Sequence, residues 1–166
     1  RRVMWAWLTT LDGVGSLSLQ SLPRELRIDQ DGTLRISPLA ELASLRHDPI
    51  TFSSLTVTPP QSSHGSEATQ RIATLTSETY EIRIDVSREQ AKRKRFGVQL
   101  FADDDHEGLE VMIRPETGTL RVGETDAPFV VAELPEDEDI ELRIFVDKYL
   151  VEVFVNSRQA VVATYP

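Results

Sequence analysis

Apolar and polar residues alternate with a period of two along residues 66–166. Around Ile82, apolar side chains at every second position are separated by charged ones. This pattern is typical of a strand that packs on one face only. It predicts strands near residues 79–86, 95–102, 108–114, 140–147, 150–156 and 159–164. Turn residues separate the runs, so the predicted fold class is all-β, with an antiparallel β-sandwich over residues 66–166.

The first 46 residues have shorter apolar runs and more turns. Asp31-Gly32 is the sequence of a tight hairpin turn. Ser37 and Pro38 suit the N-cap and the first position of a helix, which predicts one linker helix over residues 39–45. The predicted segments are a short β region (1–46), an exposed connector (47–65) and the sandwich (66–166). The short strands of the first segment are expected at residues 3–8, 17–19, 25–28 and 33–36.

The net charge of the chain makes some classes of binding partner unfavourable. The 18 Lys and Arg against 27 Asp and Glu give a formal net charge of -9 at pH 7, which opposes binding to nucleic acid or to an anionic membrane. No apolar run approaches the ~20 residues of a membrane-spanning helix. Without Cys, neither a disulfide nor a thiolate metal site forms. The chain begins without Met or a leader sequence, so we expect part of a longer protein, and the compartment stays open.

Two ordered sets of motifs resemble one enzyme family. The first set runs from Trp5-Ala6-Trp7 through residues 22–26 (Leu-Pro-Arg-Glu-Leu) and Asp31-Gly32 to residues 38–46. The second comprises residues 145–147 (Phe-Val-Asp), residues 151–156 (Val-Glu-Val-Phe-Val-Asn) and a final Tyr165-Pro166. Together they resemble the C-terminal end of glycoside hydrolase family 32, the invertases, levanases and inulinases. The chain departs from the family pattern at three places: Ala6 replaces a Gly, Tyr149 a Ser, and Ser157-Arg158 a turn containing Gly.

The resemblance implies a five-bladed catalytic propeller followed by a sandwich of the concanavalin or lectin-like jelly-roll type. Residues 1–46 would then be the end of the last blade plus the linker helix. The parent would be an O-glycosyl hydrolase, β-fructofuranosidase-like, acting on sucrose or fructans. The candidate residues at the interface between propeller and sandwich are Trp5, Trp7, Pro23, Arg24, Glu25 and Leu26. Those of the family hairpin, with a structural role, are Asp147, Glu152, Phe154 and Asn156.

This chain lacks the family's catalytic motifs. Retaining glycosidases need two carboxyl groups about 5 Å apart, and in this family they lie in Asn-Asp-Pro, Arg-Asp-Pro and Glu-Cys motifs that are absent here. His47-Asp48-Pro49 is similar but is expected to be a turn. Asp147 and Glu152 are expected to pair with Arg or Lys across the hairpin rather than to act in catalysis. We therefore predict no catalytic residue and no activity for this chain alone.

Other candidate sites have simpler explanations. His47, His64 and His106 lack the spacing of metal ligands. Residues 103–108 are acidic enough to attract calcium but lack a full calcium-loop pattern, and a charged hairpin tip is expected. Residues 92–95 (Lys-Arg-Lys-Arg) are expected to form a solvated turn with salt bridges. No metal and no cofactor are predicted.

The sequence leaves three functions open. They are a non-catalytic region that stabilises a propeller or its assembly, a carbohydrate-binding module, and a protein-interaction or dimerisation sandwich. Trp5 and Trp7 lie at period two, on one face of a predicted strand. Burial among protein groups is favoured for them over stacking on a sugar. We expect them to fold back on the sandwich or to pair with another copy of the chain, because exposed apolar surface drives association.

Overall fold

The computed structural model describes residues 1–8, 19–57, 69–103 and 108–164. Some sequence predictions lie outside these ranges. They are most of the strand predicted at 17–19, much of the connector, His64, His106, most of the acidic 103–108 segment and the final Tyr165-Pro166.

Thirteen strands are present in the described residues. They are β1 (Arg2–Met4), β2 (Trp7–Leu8), β3 (Leu19–Gln20), β4 (Arg24–Ile28), β5 (Leu34–Pro38), β6 (Thr79–Val86), β7 (Phe96–Leu100), β8 (Leu109–Arg114), β9 (Thr119–Val122), β10 (Thr125–Pro128), β11 (Ile140–Asp147), β12 (Leu150–Val155) and β13 (Gln159–Thr164). Three short helical segments accompany them: 3-10 helices at Ala40–Leu45 and Val131–Glu133, and one α-helical turn at Arg88–Ala91.

Two four-stranded antiparallel sheets form the sandwich. One has the order β10-β9-β8-β7 and the other the order β13-β12-β11-β6. Their facing sides share one apolar core, in which every second residue of a strand is buried. The fully buried members from the two sheets include Val111, Ile113, Leu120, Val122, Leu142, Ile144, Val151, Val153 and Val155. The predicted all-β antiparallel sandwich is confirmed.

All six strands predicted from the alternation are present, within two residues at either end. The alternation did not predict β9 and β10, which form a hairpin around Gly123. These strands have four residues each, and β10 contains Asp126 and Pro128, which are uncommon in strands. Too few apolar residues alternate there to give a signal of period two.

Residues 1–46 form two small sheets. One has the order β1-β4-β5 and the other consists of β2 and β3. The single strand predicted at residues 3–8 is wrong, because it breaks at Trp5-Ala6 into β1, which pairs with β4, and β2, which pairs with β3. The two tryptophans therefore do not lie on one continuous strand.

The linker helix differs from its prediction. Pro38 is the last residue of β5, and the segment that follows is a 3-10 helix from Ala40, with Leu39 at its N-cap. Ser37 cannot cap it, because Ser37 is paired with Glu25 in the β4–β5 ladder. The Leu39 N–H donates to the Pro23 carbonyl at 3.1 Å, which keeps the chain extended one residue longer.

Candidate functional site at the junction of residues 19–46 with the sandwich

Strand β12 is buried on both faces. Val151, Val153 and Val155 point into the sandwich core, whereas Glu152 and Phe154 point to the outer face and are still only 1% and 2% exposed. A sheet in a sandwich normally presents polar, solvated residues on its outer side. Here residues 19–46 contribute groups that meet this outer face, so the junction is the candidate site.

Glu152 is held by two groups from the first region. Its Oε2 accepts a hydrogen bond from Arg24 Nη2 at 2.8 Å, and its Oε1 accepts one from the Leu22 N–H. Both side chains of the ion pair are almost fully buried. Glu152 pairs with an Arg, as expected, but the expected place of that partner across the hairpin is wrong. Its cross-strand neighbours are Phe145 and Val162, neither of which is a cation, so the partner comes from β4.

Aromatic rings continue the contact across the sheet. The Arg24 guanidinium lies 5.5 Å from the centroid of the Phe154 ring, and Phe154 packs edge-on against Phe145 at 5.9 Å. The guanidinium of Arg143 lies 5.2 Å from the centroid of the Phe145 ring. Cations over ring faces and edge-to-face rings are both favourable arrangements. The outer face of β11 and β12 is thus covered by a continuous row of cations and rings.

Glu81 ties the end of the linker helix to the same face. It accepts hydrogen bonds from Arg46 at 2.6 and 2.7 Å, and from Arg143 Nε at 2.9 Å. Burial alone would raise the pKa of Glu81, but the bonds from Arg46 and Arg143 outweigh it and hold the pKa below its ordinary value. The charged form is therefore the one that holds the linker.

A second contact lies at the β12–β13 turn. The Ile36 N–H donates to the Ser157 carbonyl at 2.7 Å, and Arg35 Nη1 donates to the Asn156 carbonyl at 3.3 Å. The Asn156 amide nitrogen donates to Glu138 at 2.8 Å, and Arg158 Nη2 donates to the same carboxylate at 2.7 Å. Burial alone would raise the pKa of Glu138. The hydrogen bonds from Arg158 and Asn156 outweigh it and hold the pKa below its ordinary value.

The family assignment follows from comparison with known proteins. The profile described as "Glycosyl hydrolases family 32 C terminal" matches residues 41–165, which is most of the chain. This chain belongs to glycoside hydrolase family 32. It is 28% identical over 184 residues to raffinose invertase from Escherichia coli, an alignment that covers 100% of this chain and 34% of that protein. The resemblance of the motifs to the family is confirmed.

The fold of this family 32 chain also matches a solved structure. It superposes on sucrose-6-phosphate hydrolase from Lactobacillus gasseri with a TM-score of 0.68 at 19% identity, and the match covers 98% of this chain and 33% of that one. At this identity the likeness shows a shared fold. The chain spans roughly a third of the length of both relatives.

The structure separates the predicted interface residues into two groups. In the first group, Arg24 is buried, and Pro23 and Leu26 are half-buried. Glu25 is half-buried and accepts a hydrogen bond from Arg1 Nε at 3.2 Å. The other group faces solvent and consists of Trp5, 53% exposed, and Trp7, 60% exposed. The tryptophans do not fold back on the sandwich, because Met4, Ala6 and Leu8 are the less exposed positions there. The other expected alternative, pairing with a second copy of the chain, stays a prediction.

The four candidate residues of the family hairpin also fall into two groups. Glu152, Phe154 and Asn156 all take part in contacts with residues 19–46 or with the turn beside them. Asp147 ends β11 opposite Leu150 and is exposed. Its carboxylate is solvated, whereas the carboxylate of Glu152 is buried and binds Arg24 and the Leu22 N–H.

The remaining sequence candidates lie at the surface. His47 is exposed and its Nδ1 lies 3.0 Å from Asp48. Lys92 pairs with Glu89 at 2.9 Å and Arg95 lies 3.5 Å from Glu116, as a salt-bridged turn predicts. Within the described ranges, no group of three or more His, Cys, Asp or Glu side chains is arranged to hold a metal ion. No described helix is long and apolar enough to cross a membrane.

Five residues that the junction contacts described above use were not predicted from the sequence: Arg35, Arg46, Glu81, Glu138 and Arg143. In the sequence, Arg46 stands at a motif position, and Glu81 and Arg143 are polar positions of alternating strands. One signal was present for Glu152, since a single acid inside Val-Glu-Val-Phe-Val interrupts an otherwise apolar strand. A buried acid needs a partner.

Proposed function

We propose that this chain is the non-catalytic C-terminal β-sandwich region of a family 32 glycosidase that acts on sucrose or fructans, and that it stabilises the catalytic propeller. The observation that carries the proposal is the buried Arg24–Glu152 pair. The family profile begins at residue 41, whereas the alignment with raffinose invertase includes the whole chain. The pair therefore joins residues on opposite sides of that boundary.

The names of the relatives supply the substrate class. One is described as a raffinose invertase and the other as a sucrose-6-phosphate hydrolase. Their alignments leave about two thirds of each protein outside the matched region. This chain lacks the Asn-Asp-Pro, Arg-Asp-Pro and Glu-Cys motifs. Catalysis is thus assigned to a preceding domain, with residues 1–46 as its last part.

The direct test is an assay of the purified chain. Incubation with sucrose, raffinose, inulin or levan should release no fructose. A longer gene product that includes the coding sequence upstream of Arg1 should release it. In that longer enzyme, Glu152→Gln should lower the temperature of thermal inactivation by about 5 °C while KM stays unchanged. Fructose release by the chain alone, lost on substitution of one of its own residues, would contradict the proposal.

Exposure of the two tryptophans favours a second candidate, a carbohydrate-binding module. Indole rings stack on the apolar faces of sugars, and Trp5 and Trp7 are more than half exposed. Because these are the only tryptophans of the chain, titration with inulin would change the tryptophan fluorescence only through them. A saturable change, absent in Trp7→Ala, would favour sugar binding over a purely stabilising role.

A further inference from the structure

The sandwich is open along strand β6. This strand is the last one of its sheet, and among the described residues no strand pairs with its other side. The residues opposite it on β11 that face the core are at most 3% exposed. The core-facing side chains of β6 itself are only half-buried: Tyr80, Ile82, Ile84 and Val86. The apolar core therefore reaches solvent along this edge.

β6 lacks the features that protect edge strands in monomeric proteins. Such strands are short, contain Pro or Gly, or turn a charge toward the core. β10 has four residues and ends in Pro128, and β7 has five residues and contains Gly97. β13 lies beside β10, where Gln159 Nε2 donates to the Pro128 carbonyl at 3.2 Å. β6 has eight residues, no Pro or Gly, and only apolar side chains toward the core. Its outer backbone groups can thus pair with another strand.

The charges on the outer face of β6 are arranged unfavourably within one chain. In the β6–β11 ladder, Arg83 lies directly opposite Arg143, and Asp85 lies directly opposite Glu141. Like charges at opposite positions are destabilising. Arg83 is shared between two acids, Asp85 at 3.2 Å and Glu141 at 2.9 Å. One row of cations and one row of acids therefore end at the free edge of the sheet.

A two-fold axis at this edge brings the two kinds of row together. When Ile84 lies opposite its own copy in an antiparallel pair, Arg83 of each chain lies opposite Asp85 of the other. Each row across the joined sheet then contains Glu141 and Asp85 from one chain, followed by Arg83 and Arg143 from the other. Two acids meet two cations in both rows, which is the favourable cross-strand arrangement.

The neighbouring registers fit less well. With Arg83 opposite its own copy, two cations meet and Glu81 lies opposite Asp85. With Ile82 opposite its own copy, Arg83 faces Glu81, a carboxylate that is 15% exposed and already binds two arginines. The register centred on Ile84 instead uses Arg83 and Asp85, whose side chains are 59% and 61% exposed. Charge complementarity thus selects both the partner and the register.

We propose that two copies of this chain pair through β6 around a two-fold axis, with Arg83 of each opposite Asp85 of the other. The two four-stranded sheets then form one continuous eight-stranded sheet. On the core side, Ile82 of each chain lies opposite Val86 of the other, which covers the half-buried apolar side chains.

The net charge of the chain does not oppose this contact locally. The ion pairs on the outer face of β6 and β11 join three cations and three acids: Arg46, Arg83, Arg143, Glu81, Asp85 and Glu141. The net charge of -9 therefore lies elsewhere on the chain. Physiological salt screens exposed charges beyond about 8 Å.

Light scattering over a wide range of concentration measures the association, and hydrogen exchange locates it. We expect a dimer as concentration rises. The β6 amides that point away from β11 should exchange at least about tenfold more slowly in the dimer than in the monomer, because they gain backbone hydrogen bonds. A monomer at every concentration overturns the proposal. So does protection of these amides in the monomer, because residues of the same chain would then occupy the edge.

Charge variants test the register. Arg83→Asp places an acid opposite Asp85 of the second copy at two symmetric points, and should weaken the dimer by at least about tenfold. Asp85→Arg should weaken it equally by bringing cations together, and it supplies the answer if Arg83→Asp does not fold. The double variant should restore the dimer, because the two charges have only exchanged places. Arg121→Asp, the same change on a strand of the other sheet, should leave the dimer unchanged.

Two further results would overturn the contact. One is a dimer that Trp7→Ala dissociates and Arg83→Asp leaves intact, because the tryptophans would then form the interface. The other is a double variant as weak as the single ones, because another register would then be in use. Pairing through β6 is independent of catalysis. Fructose release by the chain alone contradicts the proposed function, whatever the oligomeric state.

Discussion

Residues 79–164 and residues 1–46 are ordered by different forces. The sandwich strands reach eight residues and bury a shared apolar core. In the described part of residues 1–46, the strands have two to five residues and contribute no side chain to that core. Its buried residues are Ser21, Arg24 and Pro38. The first region is held by directed polar bonds to the sandwich, whereas the sandwich holds itself together by burial of apolar surface.

This difference affects specificity more than stability. Desolvation of two charges offsets much of their attraction, and the Nε of Arg24 has no hydrogen-bond partner. The pair therefore adds little net free energy compared with an apolar contact of the same volume. It does fix one register, because only one placement of Leu22 and Arg24 satisfies both oxygens of Glu152. Removal of either partner alone should be costly.

The largest expected effect is in the core. Ile144→Ala removes a fully buried side chain whose strand neighbours are Val153 and Ile82, and should lower the free energy of unfolding by about 4 kcal/mol. Ile28→Ala makes the same change at a position that is 67% exposed, and should cost about 0.5 kcal/mol or less. Chemical denaturation of both variants measures the contrast. Equal losses would contradict the assignment of the core to the sandwich alone.

The second prediction concerns the buried ion pair. Glu152→Leu and Arg24→Leu should each cost about 3 kcal/mol, since each leaves one buried charge without its partner. The double variant should be more stable than the sum of the two losses by about 2 kcal/mol.

An exposed pair supplies the control cycle. Arg83 and Glu141 approach to 2.9 Å, but their side chains are 59% and 36% exposed. Their coupling energy in the same double-mutant cycle should stay below about 1 kcal/mol. A comparable coupling in both cycles would mean that burial does not distinguish the junction from an ordinary surface contact.

The third prediction concerns the loss of stability at acid pH, where Glu81 and Glu138 become protonated. The pKa of Glu81 and that of Glu138 are lowered in the folded protein, so their contribution is complete above the ordinary Glu pKa and is lost as pH falls through the lower, folded value. Unfolding followed from about pH 7 to about pH 3 should show a loss of stability at the acid end. Glu81→Gln and Glu138→Gln should each flatten that loss. An acid limb identical to that of the unsubstituted chain in both variants would show that other carboxylates cause it.

The sequence predicts the sandwich better than the junction, for a physical reason. Strand alternation is a local property, so it located β6, β11 and β12, and the motif order indicated the family. The link between Arg24 and Glu152 joins residues 128 positions apart, and no periodicity connects them. The exposure of the two tryptophans was not predicted either. An apolar residue in a sequence does not indicate whether it packs within its own chain or against another one.

The smallest effect should be a gain at the β12–β13 turn, where the two regions meet. The turn is closed by the Arg158 N–H, which donates to the Val155 carbonyl at 2.8 Å, and its central residues Asn156 and Ser157 have φ values of 48° and 50°. This geometry favours Asn followed by Gly, because a side chain with a Cβ is strained at positive φ. Ser157→Gly should therefore raise the free energy of unfolding by up to about 1 kcal/mol. Ser87→Gly is the matched control, because Ser87 has φ -61° and should gain nothing from the change. Thermal unfolding of the two variants beside the unsubstituted chain measures the difference. An equal shift in both would show that the positive φ of Ser157 does not lower the stability of the turn.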